Sequence, residues 1–167
     1  MIKVAIVDDH AIVRTGLRQF LSEQVDLRVT GEAANGREAL ELARAGETDV
    51  MLMDLSMPEH GGVDALAAIK ARFPDLHILI LSGFPEAHYA TTLLRQGASG
   101  YINKEADPEE IVKAIRTVAL GRRYITPAVA ELLADGMAAG GDRPAHENLS
   151  ERELQVFLRL AKGETIG

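Results

Sequence analysis

The sequence contains no cysteine, so neither a disulfide framework nor a thiolate metal site is open to it. Tryptophan is also missing and aromatic residues make up only 4%, which leaves Leu, Ile, Val and Ala to fill any core. No stretch approaches the ~20 consecutive apolar residues that a membrane span needs. The opening Met1-Ile2-Lys3-Val4 runs straight into a strand pattern, without the architecture of a signal peptide. Basic charge is short as well. The formal net charge is −7, with 14 Lys and Arg against 18 Asp and Glu up to residue 125, and 4 against 7 beyond it. Neither part carries the cationic surplus that phosphate contacts on nucleic acid require. These absences point to a cytoplasmic chain that does not grip nucleic acid through this stretch.

Two patterns alternate over residues 1–125. Apolar, β-branched runs of strand length occur at Lys3–Val7, Leu27–Gly31, Asp49–Met53, Leu76–Leu81 and Gly100–Ile102. The segment His77-Ile78-Leu79-Ile80-Leu81 is apolar almost throughout, as expected of a strand covered on both faces in a parallel sheet. Helical spacing fills the gaps: Ile12, Leu17, Phe20 and Leu21; then Ala39, Leu40 and Ala43; then Val63, Leu66 and Ile69; then Tyr89, Leu93 and Leu94; then Ile111, Ala114, Ile115 and Val118. The last helix opens on Asp107-Pro108-Glu109-Glu110, a cap followed by Pro and first-turn acids, while Gly46, Gly97 and Gly121 mark helix ends. Five βα units with short connections imply a doubly wound α/β fold, whose functional site belongs at the carboxyl ends of the strands.

Beyond Tyr124 the character changes. Thr126-Pro127 begins a short helix over Ala128–Ala134, and the Gly-, Ala-, Asp- and Pro-rich stretch 135–148 reads as linker. Ser150-Glu151-Arg152-Glu153 is a capping box, and Leu154, Phe157, Leu158 and Ala161 form one face of a helix closed by Gly163. One helix cannot bury its own apolar stripe, so this segment is expected to be part of a larger domain.

The polar residues at the strand ends carry the chemistry. Asp8 and Asp9 follow the first strand, Asp54 the third and Ser82 the fourth, and Lys104 lies just beyond the fifth. Carboxylates gathered on one rim repel unless a cation joins them, and a hard divalent ion such as Mg²⁺ with oxygen ligands meets that need. An Asp beside such an ion can attack a phosphoryl group. The oxygens of the product are then balanced by the ion, a Lys ammonium and a Ser hydroxyl.

Val7-Asp8-Asp9-His10, Met53-Asp54-Leu55-Ser56-Met57-Pro58 with Gly62, Leu81-Ser82-Gly83 and Gly100-Tyr101-Ile102-Asn103-Lys104 together resemble the receiver domains of two-component response regulators. The resemblance covers roughly the first three-quarters of the chain. It implies a flavodoxin-like (CheY-like) sheet of order 2-1-3-4-5 and a phosphoacceptor at Asp54. Asp9, Asp54 and the Ser56 carbonyl would hold Mg²⁺, with Asp8 assisting through water. Ser82 and Lys104 would bind the phosphoryl oxygens, and Tyr101 would be the aromatic switch. Glu105 stands where many members carry Pro, which leaves the isomer of the Lys104–Glu105 peptide open. Ala11–Gly16, Gly97–Tyr101 and Leu149–Glu153 are similar to the NarL/FixJ subgroup, whose output is a LuxR-type helix-turn-helix. The implied organisation is a receiver over 1–125, a linker with a short helix over 126–148, and the first part of a DNA-binding domain over 149–167. A sensor histidine kinase is the implied donor, and a homodimer on DNA half-sites the implied output. The DNA recognition helix is expected to lie outside this chain.

Each residue has an ordinary explanation by itself. Asp8 and Asp9 could cap the first helix, Lys104 could be a solvated lysine, and Tyr101 could serve packing alone. The five histidines show no metal-ligand spacing and read as structural, with His10 and His60 expected near the rim of the site. Two rival functions share parts of the pattern. A haloacid dehalogenase-type phosphatase also uses Asp and Mg²⁺, but wants an Asp-x-Asp nucleophile after the first strand. A flavodoxin-like cofactor binder wants a phosphate-cradling loop there.

Overall fold

The computed structural model describes residues 1–55, 62–82, 86–127, 129–131 and 134. Ser56, Gly83, the linker from residue 135 and the capping box and helix after Leu149 lie outside the described residues, as do the side chains of Val63 and Tyr89. The element order is β1 (Ile2–Val7), α1 (Ala11–Ser22), β2 (Leu27–Ala33), α2 (Gly36–Ala45), β3 (Val50–Asp54), α3 (Gly62–Arg72), β4 (His77–Ser82), α4 (Glu86–Arg95), β5 (Gly100–Asn103) and α5 (Pro108–Ala119). The strands form one sheet in the order β2-β1-β3-β4-β5, with every pair parallel. This is the doubly wound, CheY-like arrangement expected from the sequence.

Strand periodicity sorts the apolar residues between two cores. Ala5, Val7, Met51, Met53, Ile78, Ile80 and Tyr101 face α2, α3 and α4, where they meet Ala39, Leu66, Ile69 and Leu93. Val4, Ile6, Val50, Leu52, Leu79, Leu81 and Ile102 face the other way, onto Leu21 of α1 and Ile111, Ile115 and Val118 of α5. Both faces are covered, which is why these strands read as continuous apolar runs. Each fully buried Leu, Ile or Met side chain contributes about 1.5–3 kcal/mol relative to exposure.

Local signals account for the helix ends. The Asn35 side chain accepts from Glu38 N–H at 2.9 Å, and the Glu38 carboxylate accepts from Ala34 N–H at 3.0 Å, so α2 starts from a reciprocal cap. It stops at Gly46, whose φ of 71° suits a residue without Cβ. Asp107 occupies the cap position of α5, as expected, yet its side chain makes no cap bond. Pro108 with its fixed φ and the acids Glu109 and Glu110 start that helix instead. The Lys104–Glu105 peptide is trans, since the described residues contain no cis bond.

Packing continues past α5. Tyr124 forms a parallel bridge with Gly100, its N–H donates to the Ser99 carbonyl at 2.9 Å, and its hydroxyl pairs with Glu110 Oε1 at 2.9 Å. Ala130 N–H then bonds the Thr126 carbonyl, and Val129 is buried in the core on the α2–α4 side. Val129, which falls in the stretch expected to be linker, is thus held by the same body as the sheet.

Gly100 permits this return. A Cβ there would stand 2.8 Å from Leu79 Cδ1 and 2.9 Å from the Tyr124 carbonyl oxygen, closer than side chains tolerate. Gly100→Ala is therefore expected to cost about 1–3 kcal/mol in urea unfolding, by displacing either the Leu79 rotamer or the Tyr124 bridge.

Candidate functional site

Parallel strands place all their carboxyl ends on one rim, and the register aligns the functional residues there. Val7 pairs with Met53, so Asp8 and Asp54 emerge side by side. Asp54 is itself the last residue of β3 and pairs with Leu81, which puts Ser82 next to it along the rim. The Ser82 carbonyl accepts from Lys104 N–H at 2.8 Å. After Lys104 the chain turns, with Glu105 N–H on Asn103 Oδ1 at 2.9 Å and Ala106 N–H on the Asn103 carbonyl at 3.0 Å. The turn fixes where the Lys104 backbone leaves the sheet.

Asp8, Asp54 and Ser82 are each 2% exposed or less, so the charges of the two carboxylates are set among apolar strands. Lys104 answers them. Its Nζ lies 2.8 Å from Asp8 Oδ2 and 3.2 Å from Asp54 Oδ2. Burial by itself would raise the pKa of Asp8, but the hydrogen bond and charge of Lys104, with the His10 backbone N–H, outweigh it and hold the carboxyl below its ordinary value. Burial would likewise lower Lys104, and the bond to Asp8 together with the charge of Asp54 outweighs that, so its pKa is raised.

Asp8 does not cap α1. Its Oδ1 accepts from His10 N–H at 2.8 Å, its carbonyl receives the Arg14 guanidinium, and its own N–H donates to the Ala33 carbonyl of β2 at 3.0 Å. His10 takes the cap position of α1 with extended backbone and no side-chain cap bond. Its imidazole turns to the rim instead, with Nδ1 3.0 Å from both Asp8 Oδ1 and Asp9 Oδ1. One ligand atom from each of Asp8, Asp9, His10 and Asp54 falls within 4.8 Å of the others, a spacing that a single cation can span. The sequence pattern alone makes His10 structural. The one signal it offers for a place at the site is adjacency to the acid pair. Arg14, one turn further along α1, carries no signal in the sequence for its support of Asp8.

Of the residues expected from sequence, Asp8, Asp9, Asp54 and Lys104 meet on this rim. Ser82 joins them through the Lys104 backbone. Tyr101 is buried at 1% exposure and pairs with Ile80 of β4, two residues before Ser82. Ser56 lies outside the described residues.

A response regulator receiver domain matches residues 4–116. The chain belongs to the response regulator receiver family. This response regulator is 42% identical over 163 residues to the response regulator GacA of Pseudomonas aeruginosa, covering 96% of this chain and 76% of that one. Its fold matches a crystal structure of a LuxR-family two-component response regulator from Aurantimonas with TM-score 0.74 and 35% identity, over 81% of this chain and 97% of the other. It also matches Salmonella enterica RcsB bound to the promoter rprA in the presence of the phosphomimetic BeF₃⁻, with TM-score 0.74 and 26% identity over 97% and 78% of the two chains. Together these identify a response regulator of the NarL/FixJ type and set aside the phosphatase alternative.

The effect of the Asp8–Lys104 contact on stability has a defined pH window. The Asp8 contribution is lost as pH falls through its depressed value. The Lys104 contribution is complete below the ordinary lysine pKa and lost as pH rises through the raised one. Lys104→Met leaves the carboxylates facing one another and is expected to cost about 1–3 kcal/mol at neutral pH, allowing for partial solvent screening. Acid relieves that repulsion in the variant, and only below the ordinary carboxylate value of 3.8 does it begin to remove the Asp8 contribution from the wild type. The gap between the two urea-unfolding curves should therefore narrow as pH is lowered toward about 4.

Proposed function

We propose that this response regulator accepts a phosphoryl group on Asp54 from a sensor histidine kinase and relays the change to a LuxR-type helix-turn-helix output. One observation carries the reading: a buried carboxylate at the end of β3 stands 3.2 Å from a lysine ammonium, on a rim shared with two further carboxylates. An Asp54 oxygen attacks phosphorus as the bond from phosphorus to the kinase histidine nitrogen breaks, and the imidazole leaves with the bonding pair. Lys104, released toward the incoming group, and Ser82 receive phosphoryl oxygens.

The described donors suit Mg²⁺: hard carboxylate oxygens from Asp9 and Asp54 lie close enough to share one ion. The resemblance would add Asp8 through water and the Ser56 carbonyl. When bound, Mg²⁺ would neutralise charge on the transferring group. The chain serves as a stoichiometric acceptor, with only intrinsic phosphoryl gain and loss, in the cytoplasm where the kinase presents its histidine.

Transmission rests on the β4–β5 pair. Ser82 ends β4 opposite Asn103, and Tyr101 on β5 pairs with Ile80 two residues earlier, so a shift of Ser82 toward a phosphoryl oxygen would act on the Tyr101 ring through this strand pair. The altered surface around α4, β5 and α5 supports homodimerisation, and two tethered output domains then read paired DNA half-sites.

Intact-mass measurement after treatment with acetyl phosphate and Mg²⁺ tests the assignment. Wild type is expected to gain one labile phosphoryl group, and Asp54→Asn none. An adduct that survives in Asp54→Asn would place the acceptor elsewhere, and no adduct on wild type would mean a receiver that works by binding alone.

A further inference from the structure

We infer that Arg14 of α1 and Glu32 of β2 are positioning residues for the acid rim: they hold the peptide between Asp8 and Asp9, and with it the placement of both carboxylates for a divalent cation. The inference rests on the reading of the rim as a cation site and goes beyond it in naming what fixes the backbone beneath the acids.

The placement begins in β2. Leu27 and Val29 lie against the core on the α1 and α5 side, and strict strand alternation would send Ala33 the same way. Ala33 is instead buried in the opposite core. The pairing with β1 gives the reason. Val4 stands opposite Val29 and Ala5 opposite Gly31, so Thr30 is an extra residue in β2. A bulge of this kind re-aims the side chains that follow it. Past Thr30 the faces exchange, and Glu32 comes to stand opposite Ile6, whose side chain faces α1.

Glu32 thereby meets two arginines one turn apart on α1. Its Oε1 lies 3.5 Å from Arg14 Nε, and its Oε2 lies 3.0 Å from Arg18 Nη1. The Arg14 side chain is 20% exposed against 55% for Arg18, so the inner arginine is the one directed to the rim. With Nε on Glu32, Arg14 donates through Nη1 to the Asp8 carbonyl. A planar fork makes both contacts at once. That carbonyl belongs to the peptide that joins Asp8 to Asp9, and the plane is rigid, so holding it orients the start of Asp9 as well. From the other side, the Asp8 N–H donates at 3.0 Å to the carbonyl of Ala33, the residue after Glu32. Both backbone groups of Asp8 are therefore tied, one to Arg14 and one to the strand that carries Glu32.

Charge alone works in the opposite direction. A guanidinium near the rim opposes a cation, so removing it should tighten Mg²⁺ binding, whereas loss of positioning should weaken it.

Calorimetric titration with Mg²⁺, together with amide hydrogen exchange of the ion-free protein, tests the assignment on wild type, Arg14→Gln, Arg18→Gln, Glu32→Gln and the double variant of Arg14 and Glu32. Arg14→Gln is expected to weaken Mg²⁺ about tenfold and to speed exchange of the Asp8 N–H about tenfold, with the amides of β3 unchanged. Arg18→Gln removes the same charge from the same helix without touching Asp8, and is expected to leave exchange unchanged and Mg²⁺ binding equal or slightly tighter. Glu32→Gln is expected to weaken Mg²⁺ about threefold in the wild-type background and to add no further loss in the Arg14→Gln background. An equal fall in both backgrounds would show Glu32 acting by its charge alone and overturns its part. Unchanged or tighter Mg²⁺ binding in Arg14→Gln overturns the inference, as does weaker binding with unchanged exchange at Asp8. Faster exchange spread through β3 also overturns it, because Arg14 would then support the fold at large. Failure of the wild type to bind Mg²⁺ is a separate result that removes the cation-site reading, and this inference with it.

Discussion

Carboxylates of like charge have been brought to one edge of a sheet whose interior is apolar, and a single ammonium group from the next strand but one stands between two of them. Lys104 at 2.8 Å from Asp8 and 3.2 Å from Asp54 is the contact on which the resting arrangement depends. Without it, burial and mutual repulsion would both work against keeping Asp8 and Asp54 ionised. The same contact is also replaceable. A partly exposed lysine on a flexible stem can move from carboxylate to phosphoryl oxygen with little rearrangement, so the group that stabilises the resting site is available to stabilise its product.

The fold serves that contact through register. Parallel pairing of β1 with β3, β3 with β4 and β4 with β5 fixes which residues reach the rim, because a slip by one would move Asp54 out of line with Asp8 and Ser82 and exchange the residues packed in the two cores. Burial on both faces makes the sheet stiff. Under the proposed function, a displacement at Ser82 would be passed to its strand neighbour and toward Tyr101, instead of being absorbed locally. The chain that follows α5 is tied to the same sheet through Gly100, Tyr124 and Val129.

Most of this is legible in the residues themselves. All five strands lie within one or two residues of the apolar runs, and the helix stops at Gly46, Gly97 and Gly121 have the positive φ that glycine allows. The apolar run places Asp54 just after β3, and it instead ends the strand, because pairing with Leu81 carries β3 one residue further. The order of the strands comes only from resemblance, since periodicity records burial and not neighbours. What the pattern does not hold is tertiary. Nothing in a run such as Thr126-Pro127 says that Val129 will find a place in the core, and the near contact of Tyr124 with Gly100 depends on an atom that glycine lacks. His10 is hidden for another reason: a histidine after an acid pair usually needs no explanation, and only the extended backbone at the start of α1 turns its ring toward both carboxylates.

The claim at the centre is that Asp54, Lys104 and the neighbouring acids form one phosphoryl-binding site that a divalent cation completes. Fluorine NMR of beryllofluoride, a mimic of the phosphoryl group, addresses it directly. Bound fluorine signals are expected on wild type only when Mg²⁺ is present, and are expected to disappear in Asp54→Asn and weaken sharply in Lys104→Met. Bound signals that persist without Mg²⁺, or in Asp54→Asn, would contradict the account.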